Sequence, residues 1–321
     1  MKLFDSHCHI DDNVFDHDFD EMLKRAEDAL VKGIMAVGID PGTTKKAIEM
    51  AEKYSKKSIE TAKKYSKKSI EMAEKYSKKS IETVENYSKK EIETAEKYSN
   101  KEIDTTDKYY SGNIFVSAGM HPHYAQKCSH KIMEEIKELA AHQCVMAWGE
   151  TGLDFNRMLS PQKDQERWFL AQMEAAGELH LPVIFHERDS RGRFLEMIQS
   201  VGPPEKGGVV HCFSGSKKEM FAYLDLGFHI GITGILTIKG RGAPLRELVP
   251  HIPDNRILIE TDAPYLTPAP MKNRVRRNEP AFVMHVLGKL SEIKNIDSST
   301  LADTIWDNTC KLYGIRELVE K

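Results

Sequence analysis

Six histidines and acids stand where short apolar runs of this chain end: His7 and His9, Glu150, His186, His211 and Asp262. His7 and His9 close the run 2–9. Strand residues two apart leave the same face, so both imidazoles point one way, and Cys8 between them points the other way, into the wall. Glu150 follows the run 144–149, His186 falls at the end of 182–187, His211 at the end of 208–212, and Asp262 closes 257–262. Four imidazoles and two carboxylates form a mixed nitrogen and oxygen donor set. Such a set suits Zn2+ or Mn2+, and Mg2+ where water fills further positions. A catalytic zinc usually takes only about three protein ligands, so six residues exceed one ion. Two ions sharing a bridging carboxylate would use them all. At a separation of about 3.5–4 Å, such a pair activates water and stabilises both the attacking and leaving oxygens of phosphoryl transfer.

These residues can act together only if the runs that carry them end at one place. Eight β-rich runs, at 2–9, 34–39, 114–119, 144–149, 182–187, 208–212, 228–232 and 257–262, alternate with helical patterns such as 18–32, 131–141, 161–179 and 190–201. That rhythm predicts an α/β fold, a (β/α)8 TIM-like barrel, whose active sites gather at the C-terminal rim of the strands. A doubly wound open sheet also alternates. However, no GxGxxG follows the first strand and no GxxxxGK[ST] loop occurs, so the nucleotide-binding versions of that fold lose support. In a barrel all six residues share one rim.

Seven ordered motifs carry a resemblance: DSHCHIDD at 5–12, GMHPH at 119–123, GETGLDF at 149–155, FHERDS at 185–190, VVHCFSG at 209–215, ETDAPYLTPAP at 260–270 and RRNEP at 276–280. The series resembles that of the TatD-type metal-dependent deoxyribonucleases over residues 1–54 and about 110–316. It is specific to the family and much less specific to one substrate. The resemblance implies a metal-dependent hydrolase barrel with two divalent ions. One ion would take His7, His9 and Asp262, the other His186 and His211, with Glu150 bridging and Asp262 also serving as general base. It further implies hydrolysis of DNA phosphodiesters, often 3′→5′ from single strands or 3′ ends. Some members act on RNA or on aminoacyl-tRNA esters.

Further candidates lie near the same rim. His121 and His123 flank Pro122 after the third strand, within reach of a substrate phosphate or leaving group. A rigid loop with satisfied imidazoles is the structural alternative. Arg188, two residues past His186, could clamp a phosphate in bidentate fashion, or pair with the rim carboxylate Asp154, which joins it as a substrate-side candidate. The loop 274–280 holds Arg274, Arg276 and Arg277 in an otherwise acidic barrel, and Arg277 is assigned to the phosphate backbone. Tyr265, Phe155 and Phe213 could stack a base, although such rings more often pack.

The chain has 321 residues, 40% hydrophobic and 30% charged, with net charge −3. A broad nucleic-acid-binding surface would be basic, so phosphate recognition has to be local. The five cysteines lack a CxxC pair and read as reduced thiols. With no leader and no long apolar run, the expectation is a soluble, cytoplasmic protein.

Residues 55–109 hold five copies of an 11-residue unit of the type SKKSIETAEKY, after a first copy at 44–54. Glu and Lys recur four residues apart, and no Gly or Pro occurs between Thr43 and Ser111, so the unit predicts helix. Eleven residues per three turns would supercoil right-handedly. One straight helix of this length rises roughly 80 Å, yet four residues, reaching about 13 Å, separate the last copy from the next strand. A helical hairpin is therefore expected. The division is 1–54 and 110–316 for the barrel, 55–109 for the insert and 317–321 for a tail.

Three functions compete. The first is a metal-dependent nuclease acting on DNA. The second uses the same site on an aminoacyl-tRNA ester or a small amide or ester. The third is a scaffold or self-association role for the 55–109 repeats, against which stands the complete set of six ligands.

Overall fold

Strands buried on both faces read as continuous apolar runs rather than alternating ones, and VKGIMAV and NIFVSA are buried almost throughout. In the computed structural model, which describes residues 1–54 and 113–319, these runs are β2 (Val31–Val37) and β3 (Asn113–Ala118). With β1 (Leu3–Cys8), β4 (Val145–Asp154), β5 (Val183–Arg188), β6 (Gly208–Val210), β7 (His229–Ile232) and β8 (Ile257–Ile259) they pair in sequence order, every pair parallel. The 11-residue repeats of 55–109 and their expected hairpin lie outside the described residues.

The seam between β8 and β1 closes through individual hydrogen bonds. Ser6 Oγ donates to Ile259 O (2.9 Å), and the Thr261 N–H donates to Asp5 Oδ1 (2.8 Å). The Asp262 N–H donates to His7 O (2.9 Å), and the His9 N–H to Ala263 O (2.7 Å). These bonds complete a (β/α)8 barrel, and they place His7 and His9 beside Asp262 although more than 250 residues separate them.

Two apolar layers fill the barrel. Inside it, Phe4, Met35, Val37, Phe115, Ala147, Ile184, Val209 and Leu258 point inward from seven of the strands. The helix Ser298–Tyr313 seals this layer with Trp306, Cys310 and Tyr313. Phe4 meets Phe115 and Trp306, each at 6.0 Å between ring centroids. The second layer lies between strands and helices, where residues such as Trp148, Phe169, Phe185 and Phe194 pack. Fully burying one such side chain is worth about 1.5–3 kcal/mol, so the strands are fixed well before any ligand arrives. No helix among the described residues is long and apolar enough to cross a membrane.

Several boundaries differ from expectation, each for a local reason. The helix expected over 18–32 ends at Asp28, because Leu30 takes a left-handed backbone (φ 64°) and Val31 already pairs with Leu3. β6 and β8 stop at Val210 and Ile259, short of Cys212 and Asp262, which adopt φ of 47° and 56°. Glu150, expected after the fourth strand, lies inside β4. From Trp148↔Val183 to Thr151↔Phe185, β4 advances one residue more than β5, so Gly149 and Glu150 form a bulge.

Candidate metal centre

A bulge re-aims side chains, and the one in β4 turns Glu150 into the mouth of the barrel. Gly149 (φ 140°) and Gly152 (φ 147°) flank it with backbone that other residues rarely adopt. Left-handed Cys212 and Asp262, each costing roughly 1–2 kcal/mol in a non-glycine residue, likewise break their ladders where His211 and Asp262 turn inward. Strain of this sort clusters at functional sites.

The result is a carboxylate ringed by imidazoles. Glu150, 2% exposed, places Oε1 2.6 Å from His186 Nδ1, 2.8 Å from His211 Nε2 and 3.5 Å from His121 Nε2. Its Oε2 lies 3.3 Å from His7 Nε2. Asp262 Oδ1 stands 3.7 Å from His7 Nε2 and 3.5 Å from His9 Nε2. The rings of His7 and His211 stack with centroids 3.8 Å apart. All six residues expected as ligands therefore meet in one pocket. Two groups with ligand geometry, His7–His9–Glu150 and Glu150–His186–His211, share the Glu150 carboxylate.

Does this donor set fit divalent cations? Both ring nitrogens of His7, His211 Nδ1 and Glu260 Oε2 are buried without a hydrogen-bond partner. Orphaned buried groups cost free energy unless something satisfies them, and converging nitrogen and carboxylate donors are what a cation would satisfy. The residues fit the group.

Electrostatics point the same way. Burial raises the Glu150 carboxyl, but His211, His121 and His7 outweigh it and hold the group well below its usual range. Asp262 is likewise lowered: burial opposes ionisation, and the His9 hydrogen bond with the neighbouring imidazoles overcomes it. Burial disfavours charge on His9, yet Asp262 and Glu150 push its pKa up to about 9. For His211, burial is overridden by Glu150 and Glu260, and for His186 by Asp154 and Glu150; both are raised. His7 and His121 go the other way, burial and neighbouring imidazoles lowering both, His121 to about 3. Bound cations would displace the protons that now balance the carboxylates.

The remaining candidates divide. His121 and His123 reach the pocket, where His121 Nε2 is 3.2 Å from His186 Nδ1 and His123 Nε2 is 2.7 Å from Asp154 Oδ2. Asp154 does not pair with Arg188. It is fully buried, and its Oδ2 faces His123 and, at 3.2 Å, His186 Nε2. The Arg188 guanidinium makes no ion pair among the described residues, although its backbone pairs with Asp154 across β4 and β5. Arg277 is engaged: its head pairs with Asp18 (2.5 Å) and lies 4.5 Å from the Phe15 ring, while Arg25 joins Asp18 to Glu279. Arg274 and Arg276 are the exposed cations of that loop. Tyr265 is 55% exposed beside His9, whereas Phe213 is buried. Cys8 packs in the wall, its thiol toward Met35 O.

Sequence reasoning missed Glu260. It is buried, 3.4 Å from His211 Nδ1, and it accepts the Cys212 N–H at 2.5 Å. The signal was present, since Glu260 and Asp262 are spaced two apart, as His7 and His9 are.

Comparison with known proteins follows the same lines. The sequence profile of the family described as TatD related DNase matches residues 4–314. The 3′-5′ ssDNA/RNA exonuclease TatD of Rahnella sp. is 45% identical over 201 residues, covering 62% of this chain and 76% of the relative. The protein of the same name from Escherichia coli K12 is 44% identical over 201 residues, covering 62% and 77%. Among solved structures, the TatD homologue YJJV of Escherichia coli K12 superimposes with a TM-score of 0.74 at 22% identity, over 97% of this chain and 98% of that one. A TatD-family hydrolase of Entamoeba histolytica gives 0.72 at 22%, over 98% of each. These two likenesses concern the fold.

Proposed function

The chain belongs to the TatD-related DNase family, and from that premise we propose that it is a divalent-metal-dependent nuclease removing nucleotides from the 3′ ends of single-stranded DNA, and of RNA. The observation that carries the reading is Glu150: one buried carboxylate shared by imidazoles from β1 and from the ends of β5 and β6, with Asp262 beside them. Relatives 44–45% identical carry the name of 3′-5′ ssDNA/RNA exonuclease.

Two cations, of Mg2+, Mn2+ or Zn2+, held by His7, His9, Asp262 and Glu150 and by Glu150, His186 and His211, would supply Lewis-acid activation of water and neutralise charge on the phosphate. The chain's own groups do the rest. Asp262 accepts the proton that the attacking water gives up. His121 donates a hydrogen bond from Nε2, and His123 stands ready at the leaving side. Arg188, whose fork makes no ion pair among the described residues, binds a substrate phosphate in bidentate fashion. Arg274 and Arg276 attract the strand locally, while Arg277 holds their loop through Asp18. Asp154 joins the substrate side only through His123.

We read 55–109 as an insert in the connection between β2 and β3, following the helical stretch 41–54, with self-association as its candidate role, and the cytoplasm as the setting that five free thiols suit.

The test is degradation of 3′- and 5′-labelled oligonucleotides with each cation and with EDTA, run beside a D-aminoacyl-tRNA. Shortening from the 3′ end, lost with EDTA, is expected. Glu150→Ala and His186→Ala should abolish it while leaving the circular dichroism spectrum unchanged. A preference for the aminoacyl ester would replace the nuclease reading.

A further inference from the structure

A metal-ligating histidine holds the cation through one ring nitrogen, and the group bonded to the other fixes which nitrogen that is. His186 shows the division clearly. Its Nδ1 faces Glu150 at 2.6 Å, and its Nε2 faces Asp154 Oδ2 at 3.2 Å.

Asp154 is held rigidly before either ring meets it. Oδ1 accepts the backbone N–H groups of Asn156 (3.0 Å) and Arg157 (2.7 Å). Its own N–H donates to Gln165 Oε1 (2.8 Å), and Gln165 Nε2 returns a bond to the Asp154 carbonyl (3.1 Å). Asp154 and Gln165 are both buried. Only Oδ2 is left, and it meets His123 Nε2 at 2.7 Å as well as His186. An ionised carboxylate accepts and never donates, so each ring must present an N–H to it.

We infer that Asp154 is a positioning residue: it accepts the Nε2–H of His186, leaving the Nδ1 lone pair beside Glu150 for a cation, and with the same oxygen holds His123 at the rim. One carboxylate thereby ties a ligand on β5 to the loop after β3. The inference rests on the two-cation reading above.

Asp154→Asn is the informative change. The amide keeps the size of the carboxylate and can still accept the Asn156 and Arg157 N–H groups, but it turns an NH2 toward both rings. His186 must then accept at Nε2 and carry its proton on Nδ1, where the cation would sit. Co2+ titrated into metal-free protein, followed by calorimetry and visible absorption, reads the outcome. Wild type should take up two equivalents. Asp154→Asn should bind one normally and the other roughly 10–100-fold more weakly, with an altered absorption band and an unchanged melting temperature of the metal-free protein.

Two equivalents bound by Asp154→Asn with unchanged affinity and spectrum would overturn the role. So would a third equivalent in wild type that the variant loses, since Asp154 would then be a ligand itself. Failure of wild type to bind a second ion would instead defeat the two-cation reading. Long-range 1H–15N NMR of Zn2+-loaded wild type tests the same point without a variant. The His186 proton is expected on Nε2, and a proton on Nδ1 overturns the inference.

Discussion

The surroundings of His121 hold its ring in one protonation state. Its Nδ1 accepts the His123 N–H at 3.0 Å, which leaves the ring hydrogen on Nε2, 3.2 Å from His186 Nδ1 and 3.5 Å from Glu150 Oε1. Burial, reinforced by His186 and His123 against the pull of Glu150, pushes its pKa down to about 3. It therefore stays neutral in any ordinary buffer and acts by donating a hydrogen bond, not by giving up a proton. Loss of one preorganised donor of this kind costs roughly 10²–10³ in kcat, so His121→Ala should fall in that range. The shape of its pH–rate profile above about pH 5 should match wild type, because a group that does not titrate there contributes no limb. A variant whose acidic limb moves would show that His121 transfers protons after all. The same scale explains what sequence could name. His7, His9, His186, His211 and Asp262 were legible because strand ends advertise themselves. Glu260 carried the same two-residue spacing and was passed over, whereas the true partners of Asp154 were not legible, because His123 and His186 reach it from other elements about thirty residues away.

Elements bring such side chains together, and here the irregular parts of the strands matter most. Eight strands and their order could be read from apolar runs, with ends displaced by a few residues. The β4 bulge and the left-handed Cys212 and Asp262 could not, since each departs from local preference and is imposed by neighbouring strands. Gly152 tests how much depends on that irregularity. Its φ of 147° suits glycine, and an added Cβ would lie 1.9 Å from the His186 carbonyl oxygen. Gly152→Ala must push β5 away or flatten the bulge. Overpacking of this kind costs typically 1–3 kcal/mol, to which the backbone adds strain. We expect a lower melting temperature and weaker Co2+ binding together. A Gly152→Ala protein that melts and binds as wild type does would mean that the bulge does not aim Glu150.

The whole molecule carries charges that the pocket does not use. His229 lies buried on β7, where burial, with the charges of Arg256 and Lys311, holds its pKa down to about 4. The unfolded chain, with histidine near 6.5, takes up this proton first. The penalty is absent above about pH 6.5, grows as pH falls, and is complete below about 4, reaching at most about 3 kcal/mol. Urea midpoints of wild type and His229→Gln should therefore converge or cross between pH 7 and 4.5, and parallel losses would refute the assignment. The insert poses the larger question. Residues 1–54 and 113–319 already supply all eight strands, both apolar layers and every candidate ligand. Joining Tyr54 to Tyr110 removes 55–109 and retains all of these. Every contact described for the barrel lies outside 55–109, so the barrel should keep its stability. The deletion protein is expected to melt cooperatively at or above the wild-type temperature and to degrade single-stranded DNA at a rate within a few-fold of wild type. If the repeats mediate self-association, the change appears in sedimentation velocity and not in kcat. A folded, Co2+-binding deletion protein without nuclease activity would mean that the repeats hold the substrate, and the barrel alone would no longer account for the enzyme.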